Sequence, residues 1–359
     1  MTDRHSRREF LQTTALGGGM AVAAARAAGA TSAKTDPQGA IDCQSHMYPE
    51  VVLDYMETRT KPPLVYRRGD ERYTLVGQWH RRVRAKHTDV GAKLADMDRV
   101  GIATTVLTIN DPGPESFGED GLKMARMAND FLGETARAHP GRFIPLAFLP
   151  LQDMEASLKE LDRCVNQLGA RGIQLYSNLN GQFPDEPQFR PLFRRAEEMG
   201  LPLFLHPADP VTFEATKGRN LIAGLGLMFD TTIALARMIL AGLLEQHPKL
   251  KLVCPHVGGT LPYLIGRLDH QTQVLKRGAE NIKKPPSEYL KQVYLDVVTP
   301  LPLAIKFAYD MVGPDKLLYG SDHPWVDPAL IMSSVKSLGL PAEDERKIFR
   351  DNAVKLFGL

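Results

Sequence analysis

Leu252-Val253-Cys254-Pro255-His256-Val257-Gly258-Gly259 is a short apolar run that stops on a proline, a histidine and two glycines. A run this short, bounded by Gly, Pro or Asp, suits a strand buried on both faces, as in a parallel sheet. The same pattern recurs on either side. Upstream, Leu203-Phe204-Leu205 leads into His206-Pro207; downstream, Leu317-Leu318-Tyr319 leads into Gly320-Ser321-Asp322-His323-Pro324. Working outward, candidate strands lie at 40–43, 104–108, 143–149, 173–176, 203–205, 252–254, 293–296 and 317–319. Helical stretches separate them, at 92–100, 121–138, 155–168, 188–199, 230–246 and 302–311, and several stop at Gly or Pro (Met199-Gly200, His247-Pro248). Eight strands alternating with helices predict an α/β fold, the (β/α)8 or TIM barrel. A doubly wound sheet is the alternative, but no Gly-x-Gly-x-x-Gly follows the first strand to support it. The polar stretch 50–88 reads as an insertion after strand 1, near the site, and 326–359 as closing helices.

The 359 residues are 43% hydrophobic and 24% charged, ample for a sizeable core. With 44 basic and 42 acidic side chains, the formal charge of +2 gives no electrostatic ground for a nucleic-acid or acidic-membrane partner. Cys43, Cys164 and Cys254 are scattered and odd in number. They make neither a disulfide framework nor a CxxC zinc site, and read as small buried hydrophobes.

Residues 6–11, Ser-Arg-Arg-Glu-Phe-Leu, precede an apolar Gly/Ala-rich run over 15–25 and small-residue cleavage patterns near Ala27 and Ala30. That order is a signal peptide's. The run is shorter than the ~20 apolar residues of a membrane span, so no stable anchor is expected. The paired arginines followed by Phe-Leu resemble a twin-arginine signal, which implies export to the periplasm or beyond. Segment 1–30 is therefore read as the signal and 31–359 as one mature barrel domain. Cleavage after Ala30 would leave 40 basic and 40 acidic residues.

In a barrel of this kind, catalytic groups sit just past the C-terminal ends of strands. Four strands end in suitable groups: the first in Gln44-Ser45-His46, the fifth in His206, the sixth in His256 and the eighth in Asp322. Imidazole and carboxylate suit zinc or manganese, and a catalytic centre keeps a position open for water or substrate. Taken singly, a histidine after a strand is more often a hydrogen-bonded loop residue. As a set, with alternation placing Gln44 and His46 on one face, they can converge on one barrel mouth.

The chain resembles the amidohydrolase-related proteins, in the branch containing aminocarboxymuconate semialdehyde decarboxylase and the resorcylate-type decarboxylases. Matching stretches lie at 41–49, 94–102 (Leu-Ala-Asp-Met-Asp-Arg-Val-Gly-Ile), 147–153, 172–178, 201–207, 255–269, 286–296, 320–324 and 352–359, across essentially the whole mature chain. The segments from His256 to Pro262 and from Gly320 to Pro324 are the most specific. The resemblance implies a divalent metal, Zn or Mn, held by His46, His206 and Asp322. It implies that His256 lies over the open position as an acid/base or orienting group. It also implies that Arg267 reaches a substrate carboxylate across a homodimer interface; a helix-surface salt bridge is an equal reading of Arg267. His323 stands where the family usually has an aromatic residue and is expected to support rather than ligate. Trp325 and His80 are pocket candidates by neighbourhood alone.

The family usually opens His-x-His, or Glu-x-His in some decarboxylases, whereas this chain has Gln44-Ser45-His46. A neutral amide binds metal weakly. Three readings stay open: a metal held by His46, His206 and Asp322 with Gln44 weakly bound or absent from it, a site that works without metal, or a non-catalytic relative. The first is favoured, because three strong ligands suffice for catalytic zinc elsewhere.

The resulting expectation is a metal-dependent enzyme acting on a small cyclic or aromatic, carboxylated substrate, with a lean to non-oxidative decarboxylation. In that route Asp322 or His256 delivers a proton to carbon and carbon dioxide leaves. Hydrolysis of a lactone or amide would use the same residues, with Asp322 taking a proton from metal-bound water and His256 stabilising the oxyanion. A ligand-binding barrel without turnover is the third possibility.

Overall fold

The computed structural model describes residues 39–359. The expected signal segment 1–30 lies outside the described residues. From Ala40 the chain forms β1 (Ala40–Asp42) and β2 (His46–Met47). The insertion follows as α1 (Glu50–Glu57) and an antiparallel meander of β3 (Leu64–Arg68), β4 (Glu71–Val76) and β5 (Trp79–Val83). Next come α2 (Val90–Val100), β6 (Ile102–Ile109), α3 (Gly121–Ala138), β7 (Phe143–Pro145), β8 (Ala147–Phe148), α4 (Met154–Leu168) and β9 (Ile173–Tyr176). The main elements that follow, apart from short helical turns, are α5 (Arg190–Met199), β10 (Leu203–His206), α6 (Leu227–Leu240), β11 (Leu252–Cys254), α7 (Leu261–Asp269), β12 (Tyr294–Asp296), α8 (Pro302–Val312), β13 (Leu317–Leu318), α9 (Pro328–Lys336) and α10 (Asn352–Phe357).

The strands are parallel and closed. β1 and β2 both pair with β6, which pairs with β7, while β8 to β13 form a continuous run of six. Two seams complete the barrel. On one, Leu146 N donates to Leu107 O and Ala147 N to Gly172 O. On the other, Cys43 N donates to Tyr319 O and His46 N to His323 O, both at 2.8 Å. Closure settles the architecture as a TIM barrel against the open doubly wound alternative. The third barrel strand, expected to be continuous over 143–149, is two short pieces. Pro145 has no N–H to donate, and the chain switches partner there, from β6 to β9.

Local signals explain most helix ends. Asp89 and Asp153 cap α2 and α4 by accepting from Ala92 N and Ala156 N. Gly200 ends α5 at φ 65°, a left-handed conformation that a side chain would resist. The helix expected over 230–246 begins earlier and breaks before Gly242 (φ 73°). Together with the π-helical turn before it, α6 is long and apolar enough to cross a membrane. Its Thr231, Ala234, Leu235, Met238 and Ile239 are nonetheless buried in the fold, as in the core helix of a barrel.

Alternation along the strands sorts the barrel interior by height. Val106, Phe204 and Tyr294 join Ile41, Ile144, Val253 and Leu318 in an apolar layer sealed by Ala353, Leu356 and Phe357 of α10. Phe357 stacks on Phe204 with ring centroids 5.7 Å apart. Two residues further along the same strands stand Thr108, His206 and Asp296, which bring the polar groups to the other mouth. The three cysteines are buried and unpaired.

Candidate active site

Three polar groups arrive from three strand ends. His46 opens β2, His206 closes β10, and Asp322 lies four residues past Leu318 of β13. One candidate ligand atom from each lies within 4.8 Å of the other two, and among the described residues no other group of three His, Cys, Asp or Glu does so. The backbone is unusual at this mouth: His256, Val257 and Asp322 have φ of 53°, 59° and 59°. Non-glycine residues rarely adopt that region, and such backbone concentrates at functional sites.

Hydrogen bonding assigns the imidazole tautomers. Thr108 Oγ1 donates to Ser45 O at 2.9 Å, so it accepts from His46 Nδ1 at 2.6 Å. His206 Nδ1 donates to Pro207 O at 2.8 Å, since a carbonyl can only accept. In their neutral forms both rings therefore offer Nε2 as a free lone pair, the arrangement metal-ligating histidines use. His46 Nε2 lies 3.1 Å from Asp322 Oδ1. Two acceptors at that separation repel unless a proton or a cation lies between them. Burial, with His46 and His256 nearby, holds His206 well below the usual imidazole range and keeps it neutral. Burial opposes charge on Asp322, yet His256 and His46 hold its carboxyl well below the usual carboxylate range.

His256 Nε2 stands 3.8 Å from Asp322 Oδ2. Burial pushes the His256 pKa down, but the Asp322 carboxylate outweighs it and the net shift is upward. The backbone N–H of His256 donates to Asp296 Oδ1 at 2.7 Å, and that of Val298 to the same atom at 3.0 Å. Gln44 turns its amide towards His256, with Nε2 3.3 Å from His256 Nε2. Gln44 Oε1 is buried without a hydrogen-bond partner among the described residues. Two imidazole lone pairs, a carboxylate and an orphaned amide oxygen make a donor set that fits a hard or borderline divalent cation such as zinc or manganese.

His206, His256 and Asp322 line a cavity of 570 Å³, a volume suited to a small molecule. The insertion contributes Trp79 and Arg81 to its wall, and the segment after β13 contributes Trp325. Arg81 is buried against Asp111, with Nη2 donating to Oδ2 at 2.7 Å, and its guanidinium lies 4.4 Å from the Trp79 ring centroid. Trp325 is thus a pocket residue, as its neighbourhood suggested. His80 is not: it points to the other face of β5 and meets Tyr66. Arg267 lies on the exposed side of α7 and does not line the cavity of its own chain. His323 is a buried support, bonded to Lys93 and Asp96. Reading the sequence missed Arg81 and Lys93. Alternation in Trp79-His80-Arg81-Arg82-Val83 does put Trp79 and Arg81 on one face. Lys93 precedes Met97 by one helical turn, on the core side of α2.

A closed parallel barrel with histidine and aspartate ligand candidates at the C-terminal strand ends, lining a cavity, defines an enzyme of the metal-assisted TIM-barrel class. Within that class the particular assignment follows from comparison. Residues 41–359 match the Amidohydrolase family, Amidohydro_2, and the chain belongs to it. It is 31% identical over 289 residues to gamma-resorcylate decarboxylase of Rhizobium sp. (strain MTP-10005), covering 74% of this chain and 86% of that protein. It is 29% identical over 294 residues to 2-amino-3-carboxymuconate-6-semialdehyde decarboxylase of Dictyostelium discoideum, covering 79% and 80%. A crystal structure of 5-carboxyvanillate decarboxylase from Novosphingobium aromaticivorans, complexed with manganese and 4-hydroxy-3-methoxy-5-nitrobenzoic acid, superimposes with a TM-score of 0.75 at 27% identity, covering 90% and 97%.

Proposed function

We propose that this enzyme is a metal-dependent, non-oxidative decarboxylase of a small aromatic carboxylate. The observation that carries the reading is one 570 Å³ cavity that joins the His206–Asp322 edge of the ligand cluster to a buried guanidinium, Arg81, and two tryptophans. Relatives that act, by name, on resorcylate and carboxyvanillate support it.

His46, His206 and Asp322 would hold the cation, with Gln44 Oε1 as a weak further donor. When bound, the cation would polarise a substrate oxygen and stabilise charge that develops on it. Trp79 and Trp325 give the cavity flat apolar walls that suit an aromatic ring, and Arg81, though paired with Asp111, keeps an Nε–H without a partner among the described residues that can donate to its carboxylate. His256, whose protonated form is favoured by Asp322, presents a proton to the ring carbon that bears the carboxyl group. As that carbon takes the proton, its bond to the carboxyl carbon breaks, the electron pair returns to the ring and carbon dioxide leaves. Asp322 keeps the imidazole charged and oriented for the transfer. Arg267, beside the exposed Tyr263 and Leu264 on α7, would act in a homodimer by reaching the neighbouring subunit's cavity. The twin-arginine-like segment supports export to the periplasm or beyond.

A panel of hydroxybenzoates, lactones and amides offered to manganese- or zinc-loaded enzyme tests the proposal. Carbon dioxide should be released from at least one ortho-hydroxybenzoate. Asp322→Asn should cut kcat ~10³-fold or more while the circular dichroism spectrum stays unchanged. Hydrolysis of a lactone or amide with no carbon dioxide from any acid would overturn the decarboxylase reading. Less than about half an equivalent of metal, with activity untouched by chelator, would remove the metal from it.

A further inference from the structure

Lys93 sits on the barrel side of α2 with 1% of its surface exposed. A lysine this deep is costly unless its ammonium is met by acceptors. Two meet it, from opposite ends of the chain. Nζ donates to Ser45 Oγ and, at 2.9 Å, to His323 Nδ1. The second bond fixes the His323 tautomer, whose Nε2–H donates to Asp96 Oδ2 at 3.1 Å. Asp96 is in turn bonded by Lys86 and Arg99. Ser45 and His323 face each other in a parallel bridge that closes the barrel between its first and last strands. Ser45 is the neighbour of His46, and His323 is the neighbour of Asp322.

We propose that Lys93 is a positioning residue for the metal centre: its amino group clamps Ser45 to His323 and thereby sets the separation of His46 and Asp322. The inference rests on the metal-site reading above. It concerns two ligands brought by strands that are adjacent only because the barrel closes. Across that seam the backbone supplies the bridge and the hydrogen bonds from His46 N to His323 O and from Asp322 N to Gln44 O, and the Ser321 hydroxyl donates to Asp42 Oδ2 at 2.6 Å. Lys93 adds a side-chain tie on the outer side of that seam, which Asp96 holds through His323. Support of this kind around ligands typically governs metal affinity by ~10–100-fold. Charge and position predict opposite outcomes here. A buried cation near Asp322 repels a second cation, so a lysine acting through charge alone would weaken metal binding. A lysine acting as a clamp strengthens it.

The experiment is a Mn²⁺ titration, followed by electron paramagnetic resonance, of metal-free full-length wild-type, Lys93→Met, Lys93→Arg and Ser45→Ala, with a thermal melt of each. Lys93→Met should raise the Kd for Mn²⁺ at least tenfold. Lys93→Arg, which can reach both acceptors, should restore it to within about threefold of wild type. Ser45→Ala, which removes one oxygen and leaves the rest of the seam intact, should raise it severalfold and keeps the test available should Lys93→Met fail to fold. Unchanged or tighter Mn²⁺ binding in a folded Lys93→Met, or in Ser45→Ala, overturns the clamp, and a lowered Tm with an unchanged Kd does the same. Wild-type protein that binds neither Mn²⁺ nor Zn²⁺ overturns the metal-site reading itself, an outcome distinct from variants that match a binding wild type.

Discussion

Gln44 brings a neutral amide to a strand end that it shares with the imidazoles of His46, His206 and His256. Its Nε2 contacts His256 and its Oε1 is left open. Gln44→Glu puts a carboxylate oxygen in that place and should tighten Mn²⁺ binding about tenfold, read by the same titration. Unchanged affinity would place Gln44 outside the coordination sphere. A second residue-scale prediction concerns Glu115, which lines a separate 370 Å³ cavity. Its Oε2 is buried without a partner among the described residues, and burial pushes its carboxyl from 4.5 up to about 8. The native state therefore keeps a proton that the unfolded chain releases from about pH 4.5 upward, so stability is lost as pH rises through about 8. Glu115→Gln, which cannot ionise, should gain on the order of 2 kcal/mol over wild type at pH 9 and nothing at pH 4, measured by paired thermal melts. Equal gains at both pH values would show that the carboxyl is not held neutral.

Among the elements, the insertion between β2 and α2 changed most on going from sequence to structure. Its polarity marked it as an insertion near the site without giving its structure; it folds as α1 and a three-stranded meander whose last strand brings Trp79 and Arg81 to the cavity. Arg81 and Asp111 form a buried ion pair between this insertion and the loop after β6. Arg81→Ala leaves Asp111 buried and uncompensated and should destabilise by about 3 kcal/mol in urea unfolding, besides raising KM for a carboxylated substrate. Arg81→Met combined with Asp111→Leu should recover much of the stability and none of the KM. Additive losses in the double variant would show that the pair is not coupled. The strand cores at 173–176 and 252–254 were legible to the residue, because each is a short, largely apolar run bounded by Gly, Pro or a polar residue. The break at Pro145 was readable in principle, since proline's missing N–H is a local fact. The change of partner that it permits was not.

For the whole molecule, the proposed cation would join the first, fifth and eighth strand ends, groups that are far apart in an unfolded chain. Binding to the native state alone stabilises by about 2.7 kcal/mol at a hundredfold excess over Kd. Removing metal with chelator should lower Tm by several degrees, and Mn²⁺ or Zn²⁺ should restore it; a melt indifferent to both would argue against a metal that bridges the strands. The eight-strand α/β alternation, the sealing C-terminal helix and the polar strand ends His46, His206, His256 and Asp322 are properties of the sequence by itself. Each is written in the period and punctuation of a few consecutive residues. The closure of β13 onto β1, the partners of Arg81 and Asp111, and the grip of Lys93 on Ser45 and His323 were decided only by tertiary structure. They join residues 30, 48, 230 and 276 or more positions apart, and no local pattern encodes which distant group a buried charge will meet.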